Sequence, residues 1–376
     1  MNVRERLKGA EVSPLLKEMR HNPVLWLLTF VPVVLVAQAL NPEAHTLLFV
    51  LSVVAIVPLA ALLSRATEAV ATKTGDTIGG LLNATLGNLT ELLIALVALH
   101  AGQYVLVKAS IAGAIVTNSL LMLGASFLLG GLKHHVQEYN RNSARLQAGL
   151  LFLATVAILV PSVLAEADAT ATTTAFMQTL SVGLSLLLIV IYGLGLVFSL
   201  KTHQEFFAGA NHTEVGETSW PLVWALGTLA AATVLVALVS EVFVESVQQA
   251  ATTLGLSPAF VGFIIVALVS AAAEMVAAFS AARKDRLDLS VGIALGSASQ
   301  IALFVAPVLV LVSYAIGPAP MNLQFWPGAV AMMLIATVTA SLVSNTGRSA
   351  WFVGVLVVTV YLVFGLTLYL LPPRVQ

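Results

Sequence analysis

Apolar runs of about 20 residues recur along the whole chain and are separated by short polar stretches. A helix of about 20 apolar residues crosses a hydrocarbon core about 30 Å thick, so each run predicts one membrane-spanning helix. The roughly ten-residue alternating strands of a membrane barrel are absent from the sequence. The pattern predicts eleven spans, at about 24–40, 46–70, 77–101, 104–130, 146–165, 173–200, 219–244, 257–282, 288–315, 325–344 and 350–371.

Composition supports this fold class, because 59% of the 376 residues are hydrophobic and only 9% are charged. Soluble domains carry roughly 25% charged residues. The chain is therefore predicted to be an all-α polytopic membrane protein, with the lipid bilayer as a partner and no nucleic acid. The absence of Cys excludes disulfides, Cys metal sites and thiol catalysis.

Basic residues indicate how the chain is oriented. If the N-terminus is cytoplasmic, fifteen of the 17 Lys and Arg residues lie on the inner side, and only Lys108 and Arg374 lie outside. Inner loops of membrane proteins carry such an excess. We therefore expect a multi-pass protein of the cell (inner) membrane with a cytoplasmic N-terminus. The first apolar run is expected to be a retained helix rather than a cleaved signal peptide.

Two parts of the chain repeat one arrangement. Glu91 in span 3 is followed 27 residues later by Asn118, and Glu274 in span 8 is followed 26 residues later by Gln300. Five spans separate the copies, so they enter the membrane from opposite sides, as in inverted-repeat transporters. We expect an N-terminal segment with one extra helix in 1–44, a five-helix repeat in 45–200, a cytoplasmic loop at 201–218 and an inverted five-helix repeat in 219–376.

Glu91 and Glu274 are the residues that most need an explanation. A charged residue at mid-membrane costs at least about 2.5–3.5 kcal/mol on insertion scales. A protonated Glu bonded to a neighbouring carbonyl is the structural alternative, but the repetition in both halves favours a function. Two carboxylates between inverted repeats would form an oxygen-rich, doubly negative site. Such a site suits Ca²⁺ better than Zn²⁺ or Cu⁺, which favour His, Cys or Met.

Other polar and small residues accompany the two carboxylates. Side-chain oxygens beside Glu91 come from Thr85 and Asn88, which we predict to be further metal ligands. Residues predicted to line the ion pathway or relay protons are Asn118, Ser297 and Gln300. Glycines allow close helix approach or local unwinding, with ordinary small-residue packing as the alternative. The glycines concerned are Gly79, Gly80, Gly87 and Gly262.

A second acidic set is expected where spans 2 and 7 meet their loops. It consists of Glu68, Glu241 and Glu245, of which the last two are four residues apart and share one helix face. These carboxylates could line the entry path of an ion or relay protons. The alternative is that they are solvated carboxylates at the membrane interface.

The stretch Gly79–Leu92, GGLLNATLGNLTEL, resembles the first repeat motif of the cation/proton exchanger (CAX) branch of the Ca²⁺:cation antiporters. Gly296–Pro307 is similar to the end of the second motif, and Tyr192–His203 is similar to the exit of span 6 in that family. The resemblance implies that Glu91 and Glu274 are cation ligands, and that the second acidic set lies near the transport path. One departure is that Ala271 and Met275 stand where the family usually has Asn and His.

The expected function is antiport of Ca²⁺ against H⁺ by alternating access, with Mn²⁺ or another divalent cation as a variant substrate. Ca²⁺ and H⁺ are then transported substrates, and no cofactor and no enzymatic activity are expected. The sequence has no phosphate-binding loop, and its longest loop, 201–218, is too short for an ATP-binding domain. The alternatives are a Na⁺/Ca²⁺ exchanger, an intramembrane acid–base enzyme and a channel; the oligomeric state stays open.

Overall fold

The computed structural model describes residues 23–74, 76–167, 173–203 and 220–371. These residues form thirteen helices and two short strands. The helices are α1 Pro23–Leu40, α2 His45–Lys73, α3 Asp76–Leu86, α4 Leu89–His100, α5 Tyr104–His134, α6 Arg141–Ala167, α7 Thr174–Thr202, α8 Leu222–Leu254, α9 Pro258–Ser270, α10 Ala272–Arg283, α11 Leu287–Ile316, α12 Pro327–Ser344 and α13 Trp351–Leu370.

The prediction of an all-α polytopic membrane protein is confirmed. Within the described ranges, nine helices are long and apolar enough to cross a membrane, and two bent helix pairs raise the number of spans to eleven. The bent pairs are α3 with α4, at 42°, and α9 with α10, at 57°. They coincide with predicted spans 3 and 8, which carry the two intramembrane glutamates.

One predicted boundary is wrong. Span 7 was expected to end near residue 244, but α8 continues to Leu254. The apolar run ends before the helix does, because the polar residues that follow it still have helical propensity. The helix ends at Gly255, whose φ of 69° is left-handed and therefore favours glycine. Ser257 then caps α9 by accepting a hydrogen bond from the Phe260 N–H at 3.0 Å.

Equivalent helices of the two predicted repeats face each other in pairs. The long helices α2 and α8 pack together, and the rings of Phe49 and Phe243 stack between them at 5.5 Å. The hydroxyls of Thr155 in α6 and Thr337 in α12 lie 2.9 Å apart. This pairing across the bundle is what a pseudo-two-fold axis between inverted repeats requires.

The central parts of the two halves correspond residue by residue. A constant difference in residue number, the one between Glu91 and Glu274, relates the two halves. The same difference separates the bounds of α4 from those of α10, and the first residue of α5 from that of α11. This offset pairs Thr117, rather than Asn118, with Gln300. The two Glu-to-amide spacings, 27 and 26 residues, differ by one, so Asn118 and Gln300 occupy adjacent rather than equivalent positions of the repeat.

The predicted inner side of the bundle carries a small β-structure that the hydrophobic pattern did not indicate. Strands β1, Val136–Glu138, and β2, Arg348–Ala350, pair antiparallel. Each has three residues, too few for alternation to be recognised in the sequence. Gln137, the buried central residue of β1, donates to the Asp285 carboxylate at 2.8 Å and to the Ala282 carbonyl at 2.9 Å.

On the opposite side of the bundle, the irregular segment 317–326 between α11 and α12 is hydrogen-bonded to side chains of several helices. The Lys108 ammonium of α5 donates to the Asn322 side-chain oxygen at 2.7 Å and to the Gln324 carbonyl at 2.8 Å. Three alternate backbone N–H groups of the segment, those of Met321, Leu323 and Phe325, donate to Ser313, Ser181 and Ser162. The segment therefore closes this end of the bundle and holds α5, α6, α7 and α11 together.

Candidate metal centre

The site begins at the two helix breaks. Asn88 immediately precedes α4, and Ala271 immediately precedes α10. Each following helix carries its glutamate, Glu91 or Glu274, in the first turn. The unpaired N–H groups of a helix N-terminus favour negative charge nearby. The breaks therefore help to explain how two carboxylates are accommodated inside a membrane protein.

The carboxyl groups of Glu91 and Glu274 lie close enough to interact electrostatically with each other. Glu91 also interacts with the hydroxyl of Ser270, and Glu274 with the hydroxyl of Ser297. Both glutamates are half-buried. One oxygen of each, Oε1 of Glu91 and Oε2 of Glu274, is buried without a hydrogen-bond donor. Buried acceptors of this kind are normally satisfied, so they can serve as ligands for a cation or as sites for a proton.

A chain of hydrogen bonds crosses between the two halves beside these carboxylates. The Asn118 amide donates to Ser297 Oγ at 2.8 Å, and Ser297 Oγ donates to Asn88 Oδ1 at 2.8 Å. The Asn88 amide then donates to Gln300 Oε1 at 2.6 Å. The amide oxygen of Asn118 is buried without a donor. Asn118 thus adds a third unpaired oxygen on a side chain whose amide nitrogen is held in place.

The helices that carry Asn118 and Gln300, α5 and α11, are locally widened. Residues Thr117–Met122 of α5 and Ile301–Val305 of α11 form π-helical turns. Such turns are frequent at functional sites, because the extra residue in the turn shifts neighbouring side chains. Asn118 lies inside one π-turn and Gln300 immediately precedes the other. The two turns occupy nearly equivalent positions in the two halves.

The chemistry of this donor set suits a hard cation. Among the described residues, no group of three or more His, Cys, Asp or Glu side chains is placed to hold a metal ion. A cation here would therefore be bound by two carboxylates together with neutral oxygens. Ca²⁺ takes six to eight such ligands from carboxylates, amide or backbone carbonyls and water.

The remaining predicted site residues are placed as follows. The Thr85 hydroxyl, one turn before the break, donates to the Leu81 carbonyl at 2.8 Å within its own helix. A Cβ added to Gly87 would lie 2.6 Å from the Asn83 carbonyl and 3.9 Å from Gln300 Oε1. Gly87 thus allows the sharp turn between α3 and α4 next to the hydrogen-bonded chain.

The other three glycines mark close contacts between helices. A Cβ on Gly79 would lie 2.1 Å from the Ala71 carbonyl oxygen of α2, and one on Gly80 would lie 2.5 Å from Leu200 Cδ2 of α7. A Cβ on Gly262 would lie 2.6 Å from Ala109 Cβ of α5. Gly79 and Gly262 therefore exclude larger residues in this packing, whereas at Gly80 a larger residue would only require the end of the Leu200 side chain to shift.

The second acidic set belongs to the long helices α2 and α8. Glu68 lies near the end of α2 and pairs with Arg65 at 3.5 Å. Glu241 and Glu245 lie well inside α8, not at a loop as expected, because this helix is longer than the apolar run predicted. Both are exposed, and Glu245 accepts a hydrogen bond from Gln38 of α1 at 2.9 Å.

One residue next to the site was not recognised from the sequence. The Tyr192 hydroxyl donates to the Ala84 carbonyl at 2.8 Å, near the end of α3, and its ring stacks on Phe304 at 5.2 Å. Tyr192 thereby joins α7 to α3 and α11 beside the first break. The only signal was its place at the start of the stretch Tyr192–His203, which carried part of the resemblance.

The sequence matches the profile of the family described as sodium/calcium exchanger protein over residues 44–201 and 224–370. It is 38% identical over 360 residues to the Ca²⁺/H⁺ antiporter of Aphanothece halophytica, covering 92% of this chain and 96% of that protein. It is 40% identical over 327 residues to the Ca²⁺/H⁺ antiporter ChaA of Bacillus subtilis, covering 86% of this chain and 92% of that protein.

Solved structures agree in fold. The structure of native YfkE superposes with a TM-score of 0.80 at 35% identity, covering 93% of this chain and 100% of that one. The H⁺/Ca²⁺ exchanger CAX superposes with a TM-score of 0.71 at 17% identity, covering 94% of this chain and 88% of that one. The second likeness concerns the fold alone.

Proposed function

Because the chain belongs to the sodium/calcium exchanger protein family, we propose that it is a secondary antiporter that exchanges Ca²⁺ for H⁺ at the Glu91–Glu274 site. Relatives named as Ca²⁺/H⁺ antiporters match nearly the whole chain, and the resemblance noted in the sequence points the same way. The observation that carries the proposal is the pair of buried, unpaired carboxylate oxygens contributed by equivalent positions of the two halves.

The charge of this site explains why exchange would be obligatory. With both carboxylates ionised and no cation bound, two negative charges would lie uncompensated in surroundings of low dielectric constant, at a cost of several kcal/mol per charge. One Ca²⁺ cancels both charges, and so do two protons. The two loaded forms are therefore nearly equal electrostatically, and the empty form is disfavoured. Protons and Ca²⁺ compete for the same oxygens.

Unequal packing of the two halves supports alternating access. The shared offset pairs Ile78 of α3 with Val261 of α9. Ile78 is 58% exposed, whereas Val261 is fully buried. We refer to the Val261 side as the closed side and to the Ile78 side as the open side. Such a difference in exposure is expected of one state of a transporter that opens to each side in turn. By the predicted orientation, the closed side is the outer one.

The neutral ligands bear on the choice of cation. Asn88 lies at the first break, but its equivalent in the second half, Ala271, has no side-chain oxygen. A Na⁺-driven exchanger would be expected to have a site richer in neutral oxygens, so H⁺ is the better counter-ion for a pair of carboxylates. Mn²⁺, which also prefers oxygen ligands, is the variant substrate to compare with Ca²⁺.

The proposed reaction is tested by reconstituting the protein in liposomes and measuring Ca²⁺ uptake driven by a pH gradient or, separately, by a Na⁺ gradient. Wild type should respond to the pH gradient. Glu91→Gln and Glu274→Gln should each reduce uptake to that of protein-free liposomes, because Gln keeps the shape but can neither carry the charge nor exchange the proton.

The control is Glu138→Gln, which changes a carboxylate of β1 that is 78% exposed and pairs with Arg348 of β2. It should transport as wild type does. Near wild-type transport by either site variant would remove that glutamate from the proposed site. If a Na⁺ gradient drives uptake and a pH gradient does not, the counter-ion is Na⁺ rather than H⁺.

A further inference from the structure

On the closed side of the site, α9 lies directly against α5. A Cβ on Gly262 would lie 2.6 Å from Ala109 Cβ, and a Cβ on Gly113 would lie 2.1 Å from the Phe263 carbonyl oxygen. The contact therefore joins the adjacent positions Gly262 and Phe263 of α9 to a small-x-x-x-small pair, Ala109 and Gly113, of α5. Small residues at this spacing let two helix backbones approach closely.

The offset that relates the two halves gives each of these four positions an equivalent on the open side. Gly262 and Phe263 correspond to Gly79 and Gly80 in α3, while Ala109 and Gly113 correspond to Gly292 and Gly296 in α11. All four equivalents are glycine. The open side thus carries a complete set of small residues at the spacing that the closed side uses for its helix contact.

The equivalent contact is not made in this structure. A Cβ on Gly296 would meet only the side-chain amide of Gln147, at 3.9 Å, so an alanine would fit there. Gly296 is half-buried, whereas its equivalent Gly113 is buried. Glycine weakens a helix relative to alanine, and this packing gives no reason for glycine at position 296. A second packing in which the position is crowded would explain it.

We infer that α3 closes on α11 in the other transport state, with Gly79 and Gly80 packed on Gly292 and Gly296, while α9 separates from α5. This inference rests on the alternating access of the proposed function. The exchange of the two contacts would cover Ile78, as Val261 is covered now, and would open the site toward the opposite side. Gly292 and Gly296 are then positioning residues for a state that this structure does not occupy.

The first test separates cation binding from transport. In Gly296→Ala the added methyl group has room in the present packing, and in Gly296→Leu a longer side chain extends from the same position. Both side chains would block closure of α3 on α11. Ca²⁺ binding and the melting temperature should stay at wild-type values, whereas exchange should slow progressively with side-chain size, at least about tenfold for Leu, because overpacking is strongly unfavourable.

The matched control is Gly183→Leu, at an exposed glycine of α7 with no atom within 4 Å of an added Cβ. It should bind and transport as wild type does. Wild-type exchange by Gly296→Leu would overturn the inference, because the contact would then not form. Loss of Ca²⁺ binding together with a lower melting temperature would also overturn it, because Gly296 would then be needed in the present packing.

The second test does not depend on which ions are carried. The chain has no Cys, so the double variant Gly80→Cys/Gly296→Cys introduces the only two thiols. A short bifunctional thiol reagent should link them in membranes as the protein visits the closed state, and the pair Gly183→Cys/Gly296→Cys should stay unlinked. Absence of the link, with both thiols shown to react singly, would overturn the inference. If wild type also fails to exchange Ca²⁺ for H⁺ while the link forms, only the proposed function fails.

Discussion

Ser297 joins the two halves of the site, which makes Ser297→Ala the most informative single substitution. Its hydroxyl accepts from the Asn118 amide and donates to Asn88 Oδ1, both at 2.8 Å, and it also interacts with Glu274. Ser297 is only 6% exposed, so little water is available to replace the lost oxygen. Removing the hydroxyl would release two side chains, those of Asn118 and Asn88, that lie beside the proposed cation site.

The expected magnitude follows from these contacts. A buried polar group left unsatisfied costs about 1–3 kcal/mol. Hydrogen bonds that orient metal ligands typically change affinity by about 10–100-fold when removed. We therefore expect the Kd for Ca²⁺ to rise about 10–100-fold in Ser297→Ala, equivalent to about 1.4–2.8 kcal/mol. Ser297→Thr keeps the hydroxyl and should retain much of the affinity.

The assay is Ca²⁺ titration of the purified protein at one fixed pH, with a melting curve for each variant. The matched control is Ser299→Ala, two residues along the same helix and equally buried, whose hydroxyl donates only to the Gly296 carbonyl of its own helix at 2.9 Å. Ser299→Ala should bind Ca²⁺ as wild type does. A Kd for Ser297→Ala within about twofold of wild type would refute the reasoning, because the hydrogen-bonded chain would then not support the ligands.

Three further predictions follow from the site and its surroundings. Ala271→Asn should raise Ca²⁺ affinity or alter the preference between Ca²⁺ and Mn²⁺, because it places an amide oxygen at the second break, as Asn88 does at the first; an unchanged cation profile would exclude that oxygen from coordination. Ca²⁺ binding should weaken as the pH falls, with log Kd changing by up to about two per pH unit while both carboxylates titrate together; binding that is independent of pH would exclude a shared site. Lys108→Met should lower the melting temperature, because it removes the two hydrogen bonds from Lys108 to Asn322 and Gln324. Each hydrogen bond from a charged group contributes about 1.5–3 kcal/mol. An unchanged melting temperature would mean that these two hydrogen bonds do not limit unfolding.

The sequence by itself determined the features that depend on local composition. Apolar runs specified eleven spans, since a hydrocarbon core requires helices of a fixed minimum length. The two intramembrane glutamates could be identified because a carboxylate in such a run is costly wherever the chain folds. The inverted arrangement followed from the odd number of spans between the copies, which is a matter of counting.

Only the tertiary structure decided which distant residues meet. The hydrogen-bonded chain from Asn118 through Ser297 and Asn88 to Gln300 alternates between the two halves, and hydropathy carries no information about such contacts. The length of α8 was missed because a helix can continue beyond its apolar run. The closure of α5 on α9, without the equivalent contact on the other side, also could not be read from the sequence. Small residues occur at the equivalent positions on both sides, so the packing observed depends on the free energy of the whole bundle rather than on any local pattern.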